Sequence, residues 1–585
     1  MFQELFSDLT LCFRFLINSP LYLLTLIDEA LLTSFGFLPD GSMLLYSLIL
    51  PLVGILLLFF VNPYDLKKLY NITLYTMLSV FLLFLGYAIF EFQTDLTNYQ
   101  FFHLDEGNFF AIAFPFSVSF SLVCDSIALW LILLTTFLMP LCVAVSWNGV
   151  KYRLREYLVL LLLIEFLLLV FFLVDDLFFF FIFYESILIP MFLLITIWGS
   201  RVRKIHAGYQ FFFFTVCGSI FMLLAVAWIV GELGFTSMSL LKVFFNQLEN
   251  KTYFGLSAAD ENANFFLRLL WLGFFLGFCV KVPMYPFHIW LPEAHVEAST
   301  AGSVILAGIL LKMGIYGMYR TIWSFLPVTT YYFLPLIVSM SLLGILYTAL
   351  ATIRQNDLKK IIAYSSVGHM GFCTLGLVTY NANAISGALY LMISHGLISS
   401  LLFICIGLLY DRYKTRLVNY YGGIVNIMPI FTVSLFFATI ANMSFPTTSG
   451  FIGELLVLLG VFEQNPSVAF LATLGVIFSG VYAIWLFNRV CFGRINYRLV
   501  LQYGFYDLSF RETLIVFNLI FTIFLFGICP NIILSSFEYQ VNAFVIDSYR
   551  STVFNVMSTS SLEDVALNLV ILNDYINNIE ISSWI

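Results

Sequence analysis

An all-α polytopic membrane protein is the fold class this sequence predicts, on three observations. Of its 585 residues, 61% are hydrophobic and only 10% are charged, and the mean hydropathy is +0.98; a soluble chain carries about 25% charged residues. About fourteen apolar runs are long enough to cross a hydrocarbon core, which takes roughly 20 helical residues. The loops between them alternate between basic and base-poor, as the positive-inside rule requires of a correctly counted set.

In order, the runs are 43–61, 70–91, 121–147, 157–174, 177–198, 208–231, 265–290, 300–322, 331–352, 359–379, 384–410, 424–463 (broken), 467–488 and 512–533. Lys67 and Lys68 follow the first run, and Lys151, Arg153 and Arg155 the third. Arg201, Arg203 and Lys204 follow the fifth, and Arg354, Lys359 and Lys360 the ninth. Arg412, Lys414 and Arg416 follow the eleventh, and Arg489, Arg494, Arg498 and Arg511 the thirteenth. Segment 92–120 has no Lys or Arg, and after 534 only Arg550 opposes six acids. The basic loops are therefore expected on the inner side, with both termini outside.

Three parts are expected: an N-terminal extension (1–42), a membrane domain (43–533) and a C-terminal tail (534–585). Segment 11–35 reads as an interfacial helix, because Asn18, Pro20, Asp28 and Glu29 interrupt its apolar run. Neither a cleavable secretory signal nor an Arg-rich transit peptide is expected. The nine cysteines stand singly without C-x-x-C spacing, so iron–sulfur clusters and structural zinc are not expected on this chain.

Two lysines, Lys281 and Lys312, lie inside spans, as do the acids Glu185 and Glu454. A lysine near the bilayer centre costs roughly 2.5–3.5 kcal/mol, so such residues face protein or water and mark ion or proton pathways. Lys281 precedes Pro283 and Pro286, and Glu454 follows Pro446, Thr447, Thr448, Ser449 and Gly450. Each proline removes a backbone donor, and irregular backbone at membrane depth survives only against protein or a cavity. Helix breaks near 282–286 and 445–450, each beside a charge, point to a transporter built from inverted repeats.

The stretch PFHIWLPEAHVEASTAGSVILAGILLKMGIYG (286–317) resembles the signature of the subunit 4 family of respiratory NADH–ubiquinone oxidoreductase (complex I). IRQNDLKKIIAYSSVGHMGF (353–372), SHGLISSLLF (394–403) and FFIFYESILIPMFLLI (180–195) are similar to further motifs of that family. The resemblance covers roughly 43–533 and implies fourteen helices in two inverted five-helix repeats, each with a discontinuous helix. It implies a proton path through Glu185, Lys281, Lys312, His395 and Glu454, with His288 and His369 as accessory positions; Glu165, inside an apolar run, reads as an accessory acid. The related subunits 2 and 5 carry lysine where this chain has Glu454. The resemblance further implies a core membrane-arm subunit of the inner mitochondrial membrane, beside subunit 2-like and subunit 5-like chains and lipids such as cardiolipin. No nucleic acid is expected as a partner, and FMN, iron–sulfur clusters and ubiquinone would be held by other subunits.

In that reading Lys281 switches with the distance of Glu185, so the two are expected to pair within about 4–6 Å or through one water. Lys312 would pass the proton to His395, whose ordinary pKa of about 6.5 suits relay, and Glu454 would be the terminal acid. Glu293, His295 and Glu297 read as packing and capping residues, and Asp175 and Asp176 as a span end. Three alternatives stay open: a multisubunit sodium/proton antiporter subunit, a cytochrome with His369 and His395 as haem ligands, and a structural spacer.

Overall fold

The computed structural model describes residues 42–90, 100–102, 112–113, 117–118, 120–253, 259–495 and 506–559. The expected interfacial helix at 11–35, most of loop 92–120 and the end of the tail lie outside the described residues. Of residues 1–47, the described part is the start of the Ser42–Phe60 helix, where Ser47 Oγ donates to Leu44 O at 2.7 Å. The remaining described residues form a helical bundle, with β-strands in two short antiparallel pairs, Gln100–Phe102 with Leu122–Cys124 and Ile112–Ala113 with Ser117–Val118.

Among the described residues, 12 helices are long and apolar enough to cross a membrane. The two other expected spans are shorter pieces. The first is described as apolar only over Leu44–Phe60, and the broken one contributes Pro429–Asn442 and Ser449–Gln464. Two segments form the centre of the bundle, Thr300–Trp323 and Ala382–Tyr413, which are buried throughout their apolar windows. Side chains that cannot face lipid are placed there, Lys312 on the first and His395 on the second.

Polar residues at run ends set the helix limits. The Asp176 carboxylate accepts from Phe178 N at 2.8 Å and Phe179 N at 3.1 Å, starting Leu177–Ser186. Asp357 starts Leu358–Val378 by accepting from Lys359 N, and Ser509 with Glu512 forms a capping box for Phe510–Ile528. These side chains satisfy amides that a helix leaves unpaired. Asp175 does more than mark a span end, since it pairs with Arg320 at 3.0 Å.

Both expected breaks are present. Ala259–Lys281 stops at the lysine, and the chain turns irregularly before Trp290–Glu297, with Pro283 at φ 28° and a cis Tyr285–Pro286 bond. The indole of Trp290 donates to Val280 O at 2.9 Å, supplying a partner that the interrupted helix lost. Pro429–Asn442 and Ser449–Gln464 are parted by a segment with Ser444 at φ 55° and Thr447 at φ 84°. Gly527 lies against that segment so closely that a Cβ there would meet Thr447 O at 2.0 Å.

Three features differ from the sequence expectation. Met238–Tyr253 is an extra helix between two spans, whose Glu249 accepts from Val328 N, Thr329 N and Thr329 Oγ1 at 3.0, 3.1 and 2.5 Å. The span holding Lys312 contains two π-helical stretches, Leu306–Leu310 and Met318–Trp323. Asn531–Thr559 is a helix docked on the bundle, with Trp130 Nε1 donating to Ser536 Oγ at 2.7 Å and Ser126 Oγ to Gln540 Oε1 at 2.8 Å.

Candidate functional site

Four of the predicted residues form one row. Lys312 Nζ lies 2.9 Å from His395 Nδ1 and donates to Ala307 O at 2.5 Å. The Ala307 carbonyl belongs to the π-helical stretch just before the lysine, a distortion often found at functional sites. The His395 and His369 rings are 5.4 Å apart between centroids, and His369 Nδ1 meets Glu454 Oε1 at 2.8 Å. Exposure is 0% for Lys312 and 3–7% for the other three. His369 Nε2 has no hydrogen-bond partner.

Two small cavities flank the His369–Glu454 contact. One, of about 20 Å³, is lined by Thr348, Ser365, Ser479 and Tyr482 among others. The other, of about 10 Å³, reaches His395, Asn442 and Ser444 at the second break. Both are of the order of one water, which needs roughly 10–15 Å³ of such space and polar partners. A proton can therefore pass between side chains that contact each other directly or across a single water.

Lys281 makes its direct contacts with Tyr184. No ion pair with Glu185 forms within 4.0 Å; instead Nζ donates to Tyr184 O at 2.5 Å and lies 3.1 Å from the centroid of the Tyr184 ring. Glu185 remains in electrostatic reach but is only partly buried, with Oε1 unpartnered. The aromatic face and the carbonyl of Tyr184, the residue before Glu185, hold the ammonium, where cation–π attraction is worth about 2 kcal/mol or more once water is excluded. Gly314, near Lys312 on its helix, packs on Val282 at the first break, so the two lysine-bearing segments touch.

Glu165 and His288 do not join the row. Glu165 is 0% exposed, and neither of its oxygens has a hydrogen-bond partner. His288 sits among aromatic rings, stacked on Tyr285 at 5.6 Å and edge-on to Tyr347 at 5.8 Å.

Sequence reasoning missed two further charged groups. Arg320 pairs with Asp175 at 3.0 Å and Asp125 at 3.5 Å and donates to the Tyr316 hydroxyl; both acids lie far from Arg320 in the chain, so spacing gives no signal for the pairs. On the basic side, Lys360 pairs with Glu293 at 2.6 Å and Arg416 lies 3.6 Å from Glu297. Lys359 is buried there and donates to Ala298 O at 2.9 Å and Ser303 Oγ at 3.2 Å. The sequence signal was partial, since the Lys359–Lys360 pair in IRQNDLKKIIAY stands between Leu358 and Ile361.

Residues 174–479 match the family described as "NADH:quinone oxidoreductase/Mrp antiporter, TM". The chain is 45% identical over 508 residues to NADH-ubiquinone oxidoreductase chain 4 of Marchantia polymorpha, covering 87% of this chain and 98% of that protein. It is 44% identical over 496 residues to the chain 4 protein of Arabidopsis thaliana, covering 85% and 95%. Among solved structures, a chain of respiratory complex I from Thermus thermophilus with bound NADH superposes with a TM-score of 0.73 at 27% identity, covering 86% of this chain and 99% of that one. A chain of the Mrp complex from a Dietzia species shares the fold, with a TM-score of 0.71 at 17% identity over 86% of this chain and 97% of that one. A multi-pass helical bundle with a lysine–histidine–glutamate row thus has close relatives along most of its length, and the chain belongs to the NADH-ubiquinone oxidoreductase chain 4 family.

Proposed function

We propose that this chain is a proton-translocating membrane-arm subunit of an NADH:ubiquinone oxidoreductase in the mitochondrial inner membrane, with both termini on the outer side. The row Lys312–His395–His369–Glu454 carries the reading: three buried contacts link a base, two relays and an acid across four helices. Lys281 and Glu185, set beside Tyr184 at the first break, form a second charged group that feeds or empties the row. The electron-transfer reaction runs on other subunits, which would hold FMN, iron–sulfur clusters and ubiquinone. Neighbours of the subunit 2 and subunit 5 type would flank this chain, and lipids such as cardiolipin would cover its remaining sides. The repeated pairing of helix break and intramembrane charge supports two inverted repeats.

A haem reading fits the site less well. Haem takes histidine through Nε2, so the Nδ1 contacts of His395 with Lys312 and of His369 with Glu454 do not decide the matter; space does. The cavities beside them, about 20 and 10 Å³, are water-sized.

The test uses the assembled complex in sealed vesicles. Lys281→Ala and Lys312→Met should depress quinone-linked NADH oxidation and proton pumping together, while NADH oxidation by an artificial acceptor persists. Full turnover and full pumping in both variants would show that protons take another route.

A further inference from the structure

Arg320 and its two acids form a buried charged cluster that the row does not use. Backbone pairing holds the acids in place. Asp175 N donates to Ser121 O at 3.1 Å and Met238 N to Asp175 O at 2.8 Å, with bridges joining Leu122 to Val174 and Asp176 to Ser237. This seam sets Asp125 at the start of Ser126–Gly149 and Asp175 just after Leu154–Leu173. The first of these helices ends beside Lys151 and the second begins after Arg153, so the cluster sits at the opposite ends of both helices from the basic loops.

One guanidinium bridges two carboxylates there, Asp175 Oδ1 at 3.0 Å and Asp125 Oδ2 at 3.5 Å, and Asp125 Oδ1 is buried with no hydrogen-bond partner. Lys242, Cys124 and Tyr316 also stand within electrostatic range of Asp125. Neighbouring Asp176 is engaged by Thr236 and by two amides. Asp125, Asp175 and Asp176 thus outnumber Arg320 and Lys242, and acids that crowd one site favour the uptake of a proton by one of them. A layer of buried rings separates this cluster from Lys281. The Lys281 ammonium lies 3.1 Å from the Tyr184 ring centroid, and Phe171 stands 5.9 Å from Tyr184 and 6.0 Å from Tyr316. The Tyr316 hydroxyl accepts from Arg320 and donates to Phe172 O at 3.0 Å. A single ring, Phe171, therefore bridges the ring that holds the ammonium and the ring bonded to the arginine.

We propose that Asp125 and Asp175, bridged by Arg320, form a proton-release site that takes the Lys281 proton across the Phe171–Tyr316 layer and discharges it on the side opposite the basic loops. The step balances without redox chemistry. With the rings parted, the Lys281 ammonium gives its proton through water to Asp125 Oδ1 and becomes a neutral amine. Asp125 is then a neutral acid, and Arg320 stays on Asp175. The acid loses the proton to water at the membrane surface, and its carboxylate returns to the guanidinium. The unpartnered Asp125 oxygen is what such a site needs, since it can take a proton without breaking the Arg320–Asp175 pair.

The inference rests on the proton-translocating reading, and the test separates the two. Asp125→Asn removes the proton-accepting oxygen but leaves Arg320 paired with Asp175. In the assembled complex in sealed vesicles, quinone-linked turnover and pumping should fall at least 10-fold, toward the 10²–10⁴ range of a general acid–base group. NADH oxidation by an artificial acceptor should hold. Asp125→Glu restores a carboxylate and should recover most of the lost rate, which a purely structural role for the aspartate would not allow. A loss below 10-fold in Asp125→Asn, or a glutamate variant as impaired as the asparagine one, overturns the release site. If Asp125→Asn is fully active while Lys281→Ala is not, the release site falls and the proposed function stands. If both are fully active, the proposed function itself falls. Should Asp125→Asn fail to assemble, Asp175→Asn with Asp175→Glu is judged by the same criteria. Failure of both asparagine variants to assemble assigns the cluster to structure and overturns the release site.

Discussion

Replacing Tyr184 by leucine should disable Lys281 although both charged residues remain. The ammonium is held by the Tyr184 ring face at 3.1 Å and by the Tyr184 carbonyl at 2.5 Å. A desolvated cation–π contact is worth about 2 kcal/mol or more, which corresponds to a factor of about 30 in the population that depends on it. Leucine keeps the carbonyl and most of the volume but deletes the ring. Phenylalanine keeps the ring and loses only the hydroxyl bond to Gly277 O at 3.0 Å, a contribution of about 1 kcal/mol. Quinone-linked pumping in sealed vesicles should therefore fall roughly 30-fold in Tyr184→Leu and at most about 5-fold in Tyr184→Phe. Artificial-acceptor activity reports assembly in each. Equal rates in the two variants, or a phenylalanine variant as impaired as the leucine one, would refute the assignment of the ring as the ammonium's support.

Other consequences can be checked in the same preparation. Glu454→Gln retains a hydrogen-bonding group for His369 but cannot accept a proton, so pumping should drop by about 100-fold with assembly intact; near-normal pumping would remove Glu454 from the path. Gly527→Ala places a methyl 2.0 Å from Thr447 O, and overpacking typically costs about 1–3 kcal/mol, so the complex should assemble less fully and lose heat stability, read by thermal inactivation. Burial lifts the Glu249 carboxyl to about 7 despite its donors at Thr329 and Val328, above an unfolded value of roughly 4.3. A raised acid contributes stability below the unfolded value that is lost as pH climbs through the folded one. The Met238–Tyr253 helix should thus loosen between about pH 4.5 and 7 by hydrogen exchange corrected for intrinsic rates, and Glu249→Gln should flatten that dependence.

The breaks and the row were legible to different degrees. Proline beside an intramembrane charge marks a break because both features are costly in a plain apolar helix, so 282–286 and 445–450 could be read directly. Lys312, His395 and Glu454 stood out as polar atoms in apolar runs. Their order was harder to read: His369 joins Glu454 across 85 residues, a contact set by helix packing and invisible to spacing. Lys281 and Glu185 could be read as two charges at one break, whereas the Tyr184 ring that also holds the ammonium gave no signal, because charge alone was weighed. His295 read as a packing or capping residue in a loop, since nothing in PEAHVEAS shows that Trp290–Glu297 is a helix whose histidine packs on Phe403. The Met238–Tyr253 helix was missed because its Asn, Gln, Glu and Lys residues hide its single apolar face.

The depth of the row bears on the electrical cost of transport. Lys312 lies near the middle of Thr300–Trp323, His369 near the middle of Leu358–Val378 and His395 near the middle of Ala382–Tyr413. A charge hopping among them travels sideways, along an equipotential, and meets almost none of the membrane voltage. The work of roughly 2.3 kcal/mol per charge per 100 mV therefore falls on the vertical legs that join the row to either surface. Voltage should slow entry and release while leaving the lateral hops untouched, so the sensitivity of turnover to membrane potential reports on the ends of the pathway and not on its centre.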